Sequence, residues 1–440
     1  MTSWLALRVR APLPILFFAV ILILAGCATP STGPVTPPSS GAPRVDPTDP
    51  QPITNEDDGT GEEAVEEDQG ADADRVVGLP YTPPHMADRE ILRAGVLLPF
   101  SDRRERVRAE AEGMLAGIEL ALFENAGDTF VILPHDTRGS MSTAISEAEK
   151  LLSDGADIIL GPLFGANANA IKDIFAAEGV PVISFSNDTT VAGGGTWLGS
   201  IAPEAEVQEI VRFAHLRGYD RFAFFGPQSA LGQKLKQALE TEAMAVGGAM
   251  LNVAFYPESS TDPRIEAETF ANSIMAAVER GERVAVLVPE RGTRLRRIAP
   301  LLAYYGLDTR EVKMLGIGAW NDPAVWREPS LNGAWFPAPP QADLQDFETR
   351  YRRQYGAEPS SLSSLAYDAT ALAITLAGDG IVTAEEIIDP EGFVGVNGLF
   401  RYSFAGIAER SLSILEIDRN SEGGAREIRG VANSFRPAIN

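Results

Sequence analysis

From Arg89 onward the chain alternates short apolar runs with longer amphipathic ones, and this alternation constrains its fold more than any other feature. "ILRAGVLLPF" reads as a strand and "RVRAEAEGMLAGIELALFENAG" as a helix with apolar residues at helical spacing. "FVILPHD", "DIILGPLF" and "VPVISFS" follow as strands, separated by the helical "TAISEAEKLLSDG" and "ANANAIKDIFAAEG". The strands are apolar throughout, not at alternate positions. That pattern predicts βαβ units and a parallel sheet covered by helices on both faces. A second series starts near Ala202 and runs through strands "RFAFFGP", "AMLNVAFYP", "RVAVLVPE" and "VKMLGIG" with helices between them. One sheet would need more than about ten strands, so two doubly wound α/β lobes are expected. The last stretch mixes helices "DLQDFETRYRRQYG" and "SSLAYDATALAITLAG" with the strand-like "GLFRYSF" and "RSLSILEID".

The residues before Arg89 have another texture. Arg8 and Arg10 precede an apolar run of about 14 residues, short of the roughly 20 that span a bilayer as a helix. Ala25 and Gly26 then lead to Cys27, the one cysteine of the chain. "LAGC" resembles a bacterial lipoprotein signal, in which the cysteine becomes the first mature residue and carries acyl chains; an uncleaved N-terminal anchor is the other reading. Residues 1–26 are thus expected to be a signal peptide, Cys27 the lipidation site, and membrane contact to run through that lipid. Ala28 stands where an aspartate would resemble an inner-membrane retention signal, so the expected location is the periplasmic face of the outer membrane.

Residues 27–88 are expected to form a linker without a core of its own. A Pro/Ser/Thr/Gly tract is followed by "NEDDGTGEEAVEEDQGADAD", and neither part has hydrophobic periodicity. About 10 of the 24 net negative charges fall in this stretch. The net charge of -24 argues against nucleic acid as a partner, because the surface potential repels phosphate.

In order along the chain, "AGVLLPF", "HDTRGSMSTAISEAEKLLSDGADIILGPL", "AAEGVPVISFS", "FETRYRRQYGAEPSSLSSLAYDATALA" and "FVGVNGLFRYSFAG" resemble the type I periplasmic binding proteins, leucine-binding-like branch, over roughly 89–420. The resemblance implies two Rossmann-like lobes joined by three hinge crossings, near 202, 332 and 389. Lobe 1 would hold about 89–202 and 333–389, and lobe 2 about 203–332 and 390–440. It also implies a ligand cleft at the hinge, which agrees with the tendency of open α/β sheets to bind ligands beyond the carboxyl ends of their strands. The candidate lining is Phe100, Ser101, Asp136, Phe164, Gly165, Asn167, Ser184, Ser186, Asn187 and Asp188 from the first lobe. From the second come Gln228, Glu290 and Trp320.

Amino-acid binders of this branch hold the ligand carboxylate with hydroxyls at two of these places. Here Gly165 stands at the first and Asp188 near the second, and Leu231 replaces a ligand-touching tyrosine. A carboxylate at 188 would repel a ligand carboxylate unless a cation lay between them. The lipobox, long linker and altered pocket together resemble the penicillin-binding-protein activators, outer-membrane lipoproteins that stimulate a peptidoglycan synthase. The expected function is that regulation. The alternative is a solute-binding lipoprotein of an ABC transporter for an amino acid, amide or other small polar ligand.

Little else in the sequence points to chemistry. His85, His135 and His215 are far apart, and no G-x-S-x-G elbow or Walker loop occurs, so neither a cofactor, a metal nor an enzymatic role is expected. "AGGGTW" at 192–197 reads as a mobile turn. Trp320, Trp326 and Trp335 fall near the proposed hinge, where they would either pack, stack on a ligand or meet a partner. "RLRRIAP" is a basic helical face suited, if functional, to an acidic partner.

Overall fold

A computed structural model describes residues 82–379, 382–432, 434 and 435. The expected signal peptide, Cys27 and the linker up to residue 81 lie outside the described residues. Residues 82–88 differ from the linker expected there. A short 3-10 turn at Pro84–Met86 buries Met86, and the Arg93 guanidinium donates to Thr82 Oγ1 at 2.9 Å, so these residues already pack on the body.

The first sheet contains β1 (Leu92–Leu98), β2 (Phe130–Asp136), β3 (Ile158–Leu160), β4 (Val182–Ser184) and β5 (Thr196–Leu198), all parallel, in the order β2-β1-β3-β4-β5. All seven residues of β1 are buried, as a strand between two helical layers must be. Its alternate residues Leu92, Val96 and Leu98 face a core shared with Met114 and Ile118 of α1 (Glu105–Asn125). Leu97 faces the other layer, with Leu151 of α2 (Met141–Ser153) and Phe175 of α3 (Gly165–Ala177).

The second sheet has β6 (Arg221–Gln228), β7 (Ala249–Pro257), β8 (Val284–Leu287), β9 (Lys313–Leu315) and β10 (Trp335–Ala338), running parallel in the order β7-β6-β8-β9-β10. Both lobes therefore repeat one winding, the second strand outside the first and the rest following in sequence. Two antiparallel strands, β14 (Ser413–Ile417) and β15 (Ala425–Arg429), extend this sheet beyond β10. Helices α4 (Pro203–Leu216), α5 (Ala230–Ala245), α6 (Arg264–Glu279), α7 (Gly292–Tyr304) and the single turn α8 (Pro323–Trp326) supply its layers. Phe222, Phe224, Phe225, Tyr256, Phe270, Trp320 and Phe336 fill one continuous core.

The remaining helices, α9 (Gln341–Tyr355), α10 (Ser361–Leu376) and α11 (Ala384–Ile387), return to the first lobe. Phe347 and Tyr351 of α9 pack with Leu120 of α1 and Tyr367 of α10. A small antiparallel sheet of β11 (Phe393–Gly395), β12 (Gly398–Tyr402) and β13 (Ala408–Arg410) adds Phe400 and Tyr402 to the first core.

Sheet membership moves two of the three expected crossings. The chain leaves the first sheet after β5 and enters α4 at Pro203. It returns only after β10, at Pro339-Pro340, not near 332, because Trp335 and Phe336 belong to the second core. It crosses for the third time at 411–412, between β13 and β14, not near 389, because the small sheet folds back onto the first lobe. Residues 335–338 and 390–410 thus change lobes relative to the sequence expectation. After β15 the chain returns to the first lobe's small sheet, where Ala432 N–H donates to Ser411 Oγ at 2.6 Å and the Phe435 ring lies under Arg401. The "AGGGTW" stretch is a hydrogen-bonded turn. Gly193, Gly194 and Gly195 all have positive φ, Gly193 N–H donates to Thr196 O at 2.8 Å, and Thr196 opens β5.

Candidate ligand-binding cleft

A cavity of about 670 Å³ lies where the crossings meet. The first sheet contributes the loops after β3 and β4, with Leu163, Phe164, Phe185 and Asn187. The second lobe contributes Glu206 from the first turn of α4 and Gly318, Ala319 and Asn321 from the loop after β9. Pro339 of the second crossing, Glu348 of α9 and the N-terminal turn of α10 close the rest.

Local sequence explains how these walls are held. Ser360 caps α10 by accepting from the Leu362 and Ser363 N–H groups, each at 3.2 Å, while Ser363 Oγ accepts from Ser360 N–H at 3.1 Å, a reciprocal capping box. The Ser360 hydroxyl also bonds the Glu110 carboxylate of α1. Asp368, one side of α10 further on, accepts from the backbone of Val396 at 2.7 Å and of Asn397 at 3.1 Å, and from Asn397 Nδ2 at 2.9 Å. Asn397 Oδ1 then accepts from Ser364 Oγ at 3.1 Å.

Glu206 is the ionisable group that α4 turns toward the cavity. Pro203 starts that helix, and Glu204 and Glu206 occupy its first turn, where the helix dipole favours negative charge. Glu206 Oε2 accepts from Gly318 N–H at 3.0 Å. Burial pushes its pKa up to about 7; the Gly318 bond opposes the shift and the neighbouring Glu204 carboxylate adds to it. Burial also raises the pKa of Glu348, which lines the same cavity, with Arg352 pulling it back and Glu358 pushing it further. Among the described lining residues there is no Lys, Arg or His.

The sequence-derived candidates separate into four places. Phe164 and Asn187 line the hinge cavity. Ser101 and Asp136 meet at the ends of β1 and β2, where Ser101 N–H donates to Asp136 Oδ1 at 3.2 Å and the Ser101 hydroxyl bonds its other oxygen. Ser101 lines a separate open depression with Arg104 and Arg138, while Phe100 packs against the first core.

Gly165, Ser184, Ser186 and Asp188 form a tightly bonded floor beside the cavity. Ser184 Oγ donates to Pro162 O at 2.9 Å and accepts from Ser186 N–H at 3.2 Å, and Ser186 Oγ accepts from Asp188 N–H at 3.0 Å. Asp188 caps the turn at Thr189–Val191. The Thr190 hydroxyl and then its N–H hold the Asp188 carboxyl below the usual range against a small burial effect, and the Lys234 charge helps. A side chain added at Gly165 would meet Ser186 Oγ at 3.0 Å and Asp188 Oδ2 at 3.2 Å. A ligand-binding hydroxyl at 165 would therefore need Ser186 and Asp188 to shift by a few tenths of an ångström. Asn167, in the first turn of α3, is buried with its Nδ2 unpartnered.

On the second lobe, Gln228 is the exposed end of β6 and does not line the cavity. Glu290 and Trp320 also fall outside it. Tyr256 Oη donates to Glu290 Oε1 at 2.5 Å, Arg294 pairs with the same oxygen at 3.0 Å, and Trp320 Nε1 donates to the Glu290 carbonyl at 3.0 Å. Trp320 has no exposed surface, Trp335 is nearly as buried, and Trp326 Nε1 donates to Trp320 O at 2.9 Å, so these indoles knit the second core. Leu231 is half-exposed on α5.

Sequence reasoning missed Glu206, Glu348 and the α10 N-terminus. For Glu206 the crossing itself was the available signal, since residues just past a hinge border the cleft. It also missed Lys234 of α5, whose Nζ donates to Thr189 Oγ1 of the first lobe at 3.1 Å and pairs with Glu204 of the second at 2.9 Å. Among the described residues, no group of three or more His, Cys, Asp or Glu is placed to hold a metal ion, and no helix is long and apolar enough to cross a membrane.

The family model described as periplasmic binding protein matches residues 92–393. A putative branched-chain amino acid ABC transporter protein from Rhodospirillum rubrum superposes with a TM-score of 0.67 at 18% identity, over 77% of this chain and 100% of that one. A branched-chain amino acid ABC transporter periplasmic ligand-binding protein from Burkholderia xenovorans gives 0.61 at 16% identity, over 79% and 96%. A substrate-binding protein from Desulfitobacterium hafniense in complex with Leu gives 0.55 at 16% identity, over 77% and 99%. No curated protein matches the chain. With its matched span, its paired sheets of one winding and its hinge cavity, the chain belongs to the periplasmic binding protein family, in the type I, leucine-binding-like fold.

Proposed function

We propose that this chain is a non-enzymatic regulator of peptidoglycan synthesis: an outer-membrane lipoprotein, anchored through Cys27, whose binding-protein-like domain activates a penicillin-binding protein. The observation that supports the reading is the crowded floor at Gly165, where an added side chain would come within 3.0 Å of Ser186 Oγ and 3.2 Å of Asp188 Oδ2, at the position to which the family resemblance assigns a carboxylate-binding hydroxyl. A domain so altered is poorly suited to collecting that nutrient. A lipid anchor and a leash of about 60 residues, on the order of 200 Å when extended, suit it to reaching a partner across the periplasm.

The test is reconstitution of the full chain with a purified bifunctional penicillin-binding protein and its lipid-linked substrate. Faster glycan polymerisation or crosslinking on adding the chain is the expected result. Failure to capture or stimulate any such synthase overturns the reading.

The hinge cavity of about 670 Å³ favours a second reading, a solute-binding lipoprotein that presents a small polar ligand to an ABC transporter. It predicts a specific thermal shift with one class of small molecule and dependence of uptake on the chain. It is independent of the synthase assay.

A further inference from the structure

The hinge cavity has acceptors to offer and few donors. The Ser200 hydroxyl already donates to Ser186 O at 2.6 Å, Ser364 Oγ to Asn397 Oδ1 at 3.1 Å, and Asn397 Nδ2 to Asp368 at 2.9 Å. The Gly318 N–H is taken by Glu206 Oε2. What faces the cavity without a hydrogen bond is mainly oxygen: Glu206 Oε1, the Glu348 carboxylate, which has Arg352 of its own helix at 4.0 Å, and Asn321 Oδ1, a buried atom with no partner. The Asn187 amide and Ser361 hydroxyl are able to serve either way. Between these groups lie Leu163, Phe164, Phe185 and Leu365, a surface for methylene or aromatic carbon.

A ligand that satisfies such walls brings donors and positive charge. A carboxylate would meet Glu206 and Glu348 with no lining cation to balance it, and its family subsite is crowded by Ser186 and Asp188. We infer that the hinge cavity takes an organic ammonium ion that carries no carboxylate, such as an alkyl diamine or an amino-acid amide, held by Glu206 with Glu348 opposite. The inference rests on the second reading, that the cavity is a ligand site, and extends it to a ligand class.

The test is isothermal titration of the full chain at pH 7.5, where Glu206 is mostly ionised, in buffer near 0.15 M salt, with leucine amide, leucine, 1,5-diaminopentane and the neutral 4-methylpentanamide. Leucine amide and 1,5-diaminopentane are expected to bind, with leucine at least about tenfold weaker, since it differs by the carboxylate. E206Q keeps an acceptor for Gly318 N–H and is expected to cut amine affinity on the order of ten- to a hundredfold, the range for losing one charge-assisted bond. E348Q is expected to cut it less.

Leucine binding as tightly as its amide overturns the inference while leaving the cavity a ligand site. Tighter binding of the neutral amide than of either amine does the same. Binding of amines unchanged in both E206Q and E348Q assigns them to the acidic surface and overturns it too. Binding of none of the four overturns the inference, and leaves the thermal-shift and uptake tests to decide the solute-binding reading and the synthase assay to decide the first. Should E206Q fail to fold, by circular dichroism, E348Q and the leucine–leucine amide difference in the unaltered chain carry the result.

Discussion

The two lobes wind five parallel strands in the same order and are stabilised by different means. The second lobe gathers its large side chains into one core, in which Phe222, Phe224, Phe225, Tyr256, Phe270 and Trp320 are all essentially without exposed surface. Of its buried carboxylates, Glu290 has a phenol and a guanidinium close by and Glu242 accepts from Arg212 Nε at 2.6 Å. The first lobe divides its apolar residues between the two faces of a smaller sheet and fills the gap toward the hinge with a buried ion pair. Asp368 accepts three hydrogen bonds there. Arg410 stands 4.0 Å away, donates to Gly199 O at 2.9 Å and lies over the Phe400 ring at 4.5 Å. One winding is compatible with either solution because a parallel sheet asks only that both of its faces be covered.

The largest effect expected from breaking this contrast is at the ion pair. Asp368→Ala removes the acceptor for the Val396–Asn397 turn and leaves Arg410 buried with its charge uncompensated, a loss of about 3–5 kcal/mol in unfolding free energy by urea titration. Adding Arg410→Met to that variant is expected to recover part of the loss. An equally unstable double variant would mean that the hydrogen bonds of Asp368, not the pairing, carry the effect. In the second lobe the comparable change is Phe225→Ala, at about 3–5 kcal/mol, by lost burial and the cavity left among Tyr256 and Phe270. No second substitution of a charged residue is expected to rescue it.

That same contrast explains what was readable beforehand. Long helices and central strands have periodicity enough to be seen, so β1, β2, β6 and β7 and helices α1 through α7 stand where hydrophobic pattern places them. Strands β5 and β10 are no shorter than β3, β4 and β9, but β5 follows three consecutive glycines and β10 contains Pro337 and runs into Pro339-Pro340, so pattern reads them as loop. Missing β10 and the fold-back of β11–β13 is what displaced two crossings. The cleft was legible only where it follows strand ends, hence Phe164 and Asn187. Glu206, Glu348 and Asn321 become neighbours of these through contacts of long sequence separation, which no local pattern encodes.

A smaller effect is expected where the first lobe faces the cavity. Gly165→Ser forces a hydroxymethyl group against Ser186 and Asp188, an overpacking loss of about 1–3 kcal/mol, with no gain of leucine binding by titration. If this single change creates leucine binding, the floor is looser than its contacts imply and Gly165 no longer counts against amino-acid recognition.

On the cavity's other wall, Glu206 makes stability depend on pH. Its ordinary pKa of 4.5 becomes about 7 on folding, so between these values the folded chain holds a proton that the unfolded chain has lost. Its contribution is fully present below about pH 4.5, falls as pH rises, and is gone, as a net cost, above about 7. Glu206→Gln is therefore expected to stabilise the unliganded chain by about 1–2 kcal/mol at pH 8, after allowance for solvent in the cavity, and by nothing at pH 4.5. Thermal melts of both chains across this range give the difference curve. A difference that does not change with pH would remove Glu206 as the titrating group.

The smallest effect on stability, and the sharpest on the relation between lobes, belongs to Lys234. Its ammonium joins Thr189 of the first lobe to Glu204 of the second, yet the Lys234 and Glu204 side chains keep 34% and 21% of their surface exposed, so water screens the pair. Lys234→Ala is expected to change unfolding free energy by no more than about 1 kcal/mol. The consequence lies in geometry, because a bond of that worth, set across a hinge whose other links include three crossings and the return of Ala432 and Phe435 onto the β11–β13 sheet, biases closure without adding much to the fold. Spin labels placed on the outer faces of α2 and α6 are expected to report a broader, longer interlobe distance distribution in Lys234→Ala than in the unaltered chain. An unchanged distribution would assign closure to the crossings themselves, and the two lobes would then be held by their hinge alone.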